Sequence, residues 1–167
     1  MKNLWAPWRM SYIEGLTRKN EEKSCLFCRV ISVSPDYDEE NLVVYRGEKT
    51  FVMLNKYPYN NGHLMVVPKR HVPSIEDLND DELLELAKTI NLMIRALKIA
   101  YNPDAFNIGA NIGRDAGAGI EEHFHVHVVP RWRGDTNFMP VIADTKVIPQ
   151  LLQDSYKSIK NVLSTLL

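Results

Sequence analysis

Residues 123–132 read HFHVHVVPRW, with His123, His125 and His127 alternating with Phe124, Val126 and Val128. A two-residue period is that of a strand, whose successive side chains leave opposite faces. The three imidazoles are therefore expected on one face and the apolar residues on the other, so that one side is buried and the other does chemistry. Rings on one face would stand ~6–7 Å apart, twice the rise per residue, too far for mutual hydrogen bonds without a bridging group. A single histidine on such a strand would be ordinary core; three in five residues call for another explanation. Two uses fit: a His-x-His zinc centre completed by a third histidine, or a phosphoryl-transfer site in which one imidazole is the nucleophile and the others place the substrate.

Upstream, residues 107–122 read NIGANIGRDAGAGIEE and hold Gly109, Gly113, Gly117 and Gly119, half of the eight glycines in the chain. Glycine lets backbone approach a ligand closely and turn its N–H groups towards an anion. Glycine content alone fits a flexible turn equally well, but a loop running directly into the histidine strand is well placed to hold phosphate.

The run HFHVHVVP resembles the signature of the histidine triad (HIT) family. The wider stretch, with AGAGI before the histidines and PRWRGDTNFMPVI after them, is similar to the bacterial branch of diadenosine tetraphosphate phosphorylases, and the likeness reaches back to LWAPWRMSYI near the start. The resemblance implies an α+β fold: a HIT-like antiparallel sheet with one long helix packed on it and a C-terminal helix, in a homodimer. It also implies nucleotidyl transfer through a nucleotidyl-histidine intermediate. Phosphorolysis of diadenosine tetraphosphate to ADP and ATP is the first expectation. Hydrolysis of dinucleoside polyphosphates or adenosine phosphoramidates is the second, and a nucleotide-binding regulator with little turnover is a reading of another class.

The chain as a whole is compatible with these. Its 167 residues suit one domain with a sizeable core, read as 1–167 with an aromatic N-terminal extension over 1–22 and a C-terminal helix over 147–167. A 45% hydrophobic, 25% charged composition with net charge −1 leaves no basic footprint for long nucleic acid. No apolar run approaches the ~20 residues of a membrane helix, and MKNLWAPWRM lacks the apolar core of a signal peptide. A cytoplasmic protein with a nucleotide and inorganic phosphate as its small-molecule partners is expected. The aromatic residues of 4–13 should pack on the domain or on a second subunit, and the family resemblance points to the dimer contact.

In order along the chain, residues 34–41 (SPDYDEEN) read as an acidic surface loop. Strands follow over 42–46 and 51–54, joined by a GEK turn, then over 62–67 after a turn from Pro58 to Gly62. Asn79 with Glu82 resembles a capping box. From there Leu83, Leu86, Ala87, Ile90, Ile94, Leu97 and Tyr101 form an apolar stripe on a helix ending near Asn102-Pro103. Strands are expected at 105–111 and 124–129. In the last segment, with Pro149 near its start, Leu152, Tyr156, Ile159, Leu163 and Leu166 share one helical face.

The chain has two cysteines and five histidines. Cys25 and Cys28, spaced C-x-x-C, suggest metal binding or redox work in an intracellular chain; the polar TRKNEEKS before them is unlike the strand that precedes a thioredoxin-type pair. A closed zinc site needs two further ligands. The family resemblance supplies His71, from the PKRH run, and His123, making structural zinc the expected cofactor with no organic one. If His123 belongs to that metal, His125 and His127 are free for catalysis. His125 is then expected to attack the α-phosphorus, and His127 to assist the leaving group. Backbone amides of Gly117, Ala118 and Gly119 would hold the phosphoryl oxygens. By resemblance, Asn55 would bind the ribose, Asn111 and Asn137 would contact phosphate or leaving group, and His63 would support the histidines from behind. Each asparagine could instead simply shape a turn.

Overall fold

The computed structural model describes residues 25–167; the aromatic stretch expected to form a dimer contact, 4–13, lies outside the described residues. Five strands form one antiparallel sheet: β1 (Val43–Arg46), β2 (Thr50–Leu54), β3 (Leu64–Pro68), β4 (Ala105–Gly109) and β5 (Val126–Arg131), in the order β1-β2-β3-β5-β4. Among the described residues four α-helices accompany them: α1 (Leu26–Ser32), α2 (Asp80–Tyr101), α3 (Met139–Ile142) and α4 (Leu152–Leu166). None of the described helices is long and apolar enough to cross a membrane.

The sheet is covered unequally. On one face Val52, Leu54, Leu64, Val66, Val126 and Val128 pack against Leu86, Met93 and Leu97 of α2 and Ile159 and Leu163 of α4. On the other, Val43, Phe51, Met53, Met65 and Val67 pack against Phe27 and Val30 of the short α1. β2 and β3 are thus buried on both sides, which is why FVML and LMVVP are continuous apolar runs without alternation. α1 reaches only the β1 to β3 half. β4 is an edge strand with mostly exposed residues, and beside it His127 of β5 is half-buried.

The cap of α2 has both arms: Asn79 Oδ1 accepts from Glu82 N–H at 3.0 Å, and Glu82 Oε2 accepts from Asn79 N–H at 2.9 Å. Arg70 clamps the same carboxylate at 2.7–2.9 Å. At the other end Asn102 takes a left-handed conformation, φ 45°, before Pro103, and stops the helix. The stripe itself is rotated from the sequence reading. Ala87 is exposed, and Thr89, Met93 and Ala96 are buried alongside Leu86 and Leu97. Polar groups cause the rotation: Glu85 Oε1 accepts from the Lys49 and Thr50 amides at 2.8 and 2.9 Å, and the Thr89 and Thr50 hydroxyls meet at 3.0 Å. These bonds draw a polar row of α2 onto the start of β2.

Other boundaries differ too: β3 starts at Leu64 and not 62, and the C-terminal helix α4 runs Leu152–Leu166 and not 147–167. The acidic segment holds a 3-10 turn, Pro35–Tyr37, and buries Asp38 against Arg46, whose Nη2 lies 2.7 Å from the carboxylate, so it is not wholly solvated. β4 stops at Gly109, where the glycine loop starts, and not at residue 111. β5 starts at Val126 and not 124, since Phe124 N–H bonds the Val72 carbonyl at 2.6 Å and the chain joins the ladder only afterwards.

Candidate active site and metal centre

His123 and His125 precede the regular part of β5, while His127 sits within it opposite Met65. Their rings are closer than strand geometry predicts: those of His125 and His127 stand 4.9 Å apart and nearly perpendicular. The reason is the irregular approach at 123–125, which tilts His125 towards its neighbour. His63, fully buried, joins from the turn before β3, its ring 5.1 Å from that of His127.

Backbone groups set the proton on each ring. A carbonyl oxygen only accepts, so an imidazole nitrogen facing one must carry the hydrogen. His123 Nε2 lies 2.8 Å from the Pro68 carbonyl oxygen, which leaves the Nδ1 lone pair towards Cys25 Sγ at 3.3 Å and Cys28 Sγ at 3.6 Å. His125 Nδ1 lies 2.9 Å from the His123 carbonyl oxygen, and the lone pair is left on Nε2. His63 Nδ1 accepts from Tyr59 N–H at 3.1 Å, so its Nε2–H donates to His127 Nδ1 at 3.0 Å. The neutral His127 then carries its proton on Nε2.

Burial keeps these rings neutral, because it penalises the charged form. It lowers His63 to about 3, with His127 and His125 adding repulsion, and His127 to about 4, with repulsion from His125. His123 and His125 are also lowered by burial, against the opposing pull of their carbonyl partners. The cluster therefore offers, at neutral pH, one free imidazole lone pair and one imidazole N–H on adjacent rings.

Cys25, Cys28, His71 and His123 form a group arranged for a metal ion, each offering a donor atom within 4.8 Å of all the others. Cys28 Sγ is 3.3 Å from His71 Nδ1. Zinc bonds of ~2.3 Å to sulfur and ~2.0 Å to nitrogen place S and N ~3.5 Å apart across a tetrahedron, and the S···N separations of 3.3 and 3.6 Å match it. The bond from His123 Nε2–H to Pro68 is the outer-shell support that a metal-bound imidazole requires. Two thiolates and two imidazoles suit zinc and would fill all four positions. Burial and the facing Cys25 push the Cys28 thiol up. The cysteine pair opens α1, with Cys25 at its cap, and is not disulfide-bonded.

The remaining expected residues are placed as follows. Asn55, directly after β2, accepts Tyr57 N–H at 2.9 Å and so shapes the turn, its backbone N–H bonding the His63 carbonyl. Asn111 donates to the Gly117 carbonyl at 3.3 Å across the glycine loop. Within that loop Gly117 N–H bonds Arg114 O at 2.9 Å and Ala118 N–H bonds Gly113 O at 3.4 Å. In this conformation those two amides are engaged inside the loop. Asn137 accepts Met139 N–H at 2.9 Å in the turn before α3. Two contributors were missed. Phe27, inside CLFC, wedges its ring 5.3 Å from His123 and 5.0 Å from His125. Tyr59 lays its ring 4.6 Å from His63 and 5.8 Å from His127; its position four residues before His63 was the available signal.

The HIT domain family model matches residues 37–134. An AP-4-A phosphorylase of Mycobacterium tuberculosis is 46% identical over 157 residues, covering 93% of this chain and 80% of that protein. Among solved structures, a hypothetical histidine triad nucleotide-binding protein from Sulfolobus tokodaii superposes with a TM-score of 0.68 at 33% identity, over 85% of this chain and 93% of the other. A zinc-bound histidine triad family protein from Mycobacterium smegmatis gives 0.68 at 26% identity, over 86% and 95%.

Proposed function

Because the chain belongs to the HIT domain family, we propose that it is a nucleotidyltransferase that splits diadenosine tetraphosphate with inorganic phosphate, releasing ATP and ADP. The observation that carries this reading is the His125 Nδ1–H bond to the His123 carbonyl, which holds the Nε2 lone pair ready on a neutral ring. In the first half-reaction Nε2 bonds to the α-phosphorus as the bond to the bridging oxygen breaks. The electron pair leaves with ATP, helped by the Nε2–H of His127. In the second, a phosphate oxygen bonds to the same phosphorus, the P–N bond breaks, and ADP departs with the His125 lone pair restored.

In this reading Asn55, with its amide hydrogens left to donate, takes the ribose. Asn111 and the Gly119 amide face the phosphoryl oxygens. Cys25, Cys28, His71 and His123 would hold zinc in a closed site whose chemistry is to tie α1 to the start of β5. The exposed edge of β4, with Ile108 46% exposed, suits strand pairing in a homodimer. The choice of phosphate over water as acceptor is supported by the similarity to the mycobacterial phosphorylase.

The test is the product pattern. Incubation with diadenosine tetraphosphate should give ADP and ATP in equal amounts only when phosphate is present. AMP and ATP in both conditions would make the protein a hydrolase, and no product would leave it a nucleotide binder.

A further inference from the structure

A cavity of about 250 Å³, walled by Tyr59, Asn60, Asn107, Val129, Arg131 and Lys146, is separated from His127 by the Tyr59 ring. It lies on the imidazole face. Residues 127, 129 and 131 of β5 share one side, Val129 and His127 are paired with Asn107 and Gly109 of β4, and the Tyr59 ring in its wall is 5.8 Å from His127. On the far side of His125 this face is closed by Phe27 and the cysteine group. Anything leaving the α-phosphorus past His127 is directed over Val129 towards Arg131, in steps of ~6–7 Å along the strand.

We propose that this cavity is the subsite for the departing phosphate chain and for the attacking phosphate, with Lys146 as its specificity-determining cation; the inference rests on the nucleotidyl-transfer reading. Its size falls below the ~300–1,000 Å³ of pockets that enclose drug-sized ligands, which fits phosphate groups better than a nucleoside. Its charge is positive and its frame is fixed. Asp135 receives Arg131 Nε at 2.6 Å and Nη2 at 2.9 Å, Asn60 Nδ2 at 2.8 Å and Trp132 N–H at 3.1 Å. These bonds use up that carboxylate. Arg131 Nη1 donates to Asn107 Oδ1 at 2.7 Å, which leaves the Asn107 amide hydrogens for a ligand. Lys146 Nζ gives one hydrogen to the Asp135 carbonyl at 2.6 Å, and the ammonium keeps two more. Two cations against one carboxylate leave the wall with one positive charge in excess, which favours an anion.

The experiment is a calorimetric titration of wild type, Lys146→Glu and Lys146→Arg with inorganic tripolyphosphate and with AMP. It is paired with phosphorolysis of diadenosine tetraphosphate at varied phosphate. Lys146→Glu should weaken tripolyphosphate about 10-fold, the worth of a charge-assisted bond, and raise the KM for phosphate similarly. Lys146→Arg should stay near wild type, and AMP affinity should hold throughout. Unchanged tripolyphosphate affinity in Lys146→Glu, or equal weakening of AMP, overturns the subsite while leaving phosphorolysis intact. A wild type that makes no ADP and ATP overturns the reading beneath it.

Discussion

His123 and His125 stand two residues apart, and both give a proton to a backbone carbonyl, yet they serve opposite ends of the imidazole row. His123 donates through Nε2 to Pro68 and turns Nδ1 to two sulfurs; His125 donates through Nδ1 to His123 and keeps its lone pair on Nε2. One end is closed by α1, Phe27 and the cysteines, and the other opens beside β4. The difference teaches that the role of an imidazole is set by which nitrogen the backbone occupies, and only then by which residues surround it.

The largest effect that can break this contrast is at the open end. His125→Asn should cut turnover at least ~10⁴-fold, as loss of a nucleophile does, with nucleotide affinity and zinc content little changed. Single-turnover kinetics with elemental analysis checks all three. Retained turnover would show that the free Nε2 is not the attacking atom, and lost zinc would show that the two ends are not separable.

The closed end should fail differently. If the four donors hold zinc as proposed, Cys28→Ser, or chelation, should remove it and lower stability by about 4 kcal/mol, the worth of a ligand held at a thousandfold excess over its Kd. Thermal denaturation reads this directly. Turnover at a temperature where the variant remains folded should stay within severalfold of wild type, because the lone pair of His125 depends on a carbonyl and not on the ion. A collapse of turnover with no change in melting would place the metal in the chemistry instead.

Much of this was legible beforehand, and for identifiable reasons. The period-two alternation of 123–128 placed the histidines on one face, the Asn79–Glu82 spacing gave both arms of a cap, and the family resemblance added His71 and His123 to the C-x-x-C pair, four donors that do converge. What failed to show was set by partners distant in sequence. Thr89 and Glu85 look like solvent residues until β2 presents its amides and hydroxyl to them. The ring spacing was overestimated because Phe124 bonds Val72 and delays the strand. The glycine loop was legible as a loop, but not that its own carbonyls would take the Gly117 and Ala118 amides. No spacing rule reveals which imidazole nitrogen a carbonyl will face.

The smallest effect sharpens the contrast within the open end itself. His127 depends for its proton position on His63, which depends in turn on Tyr59 N–H. His63→Leu breaks this relay and should lower kcat by ~10²-fold, the lower range for a lost acid role. His63→Gln, able to accept from Tyr59 and donate to His127, should recover most of it. The same pair of variants carries a pH signature. Burial holds folded His63 to about 3 from an ordinary 6.5, so between those values the unfolded chain binds a proton that the folded one refuses. The contribution of His63 is therefore fully present above pH 6.5 and is lost as pH falls towards 3, at about 1 kcal/mol per pH unit. Denaturant titrations from pH 7 to 5 should show a shallower loss for His63→Gln than for wild type. A residual slope must remain, because His127, at about 4, titrates in the same sense. Equal slopes in the two proteins would mean that His63 exchanges protons with solvent in the folded state, and the relay from Tyr59 to His127 could not then fix the proton on Nε2.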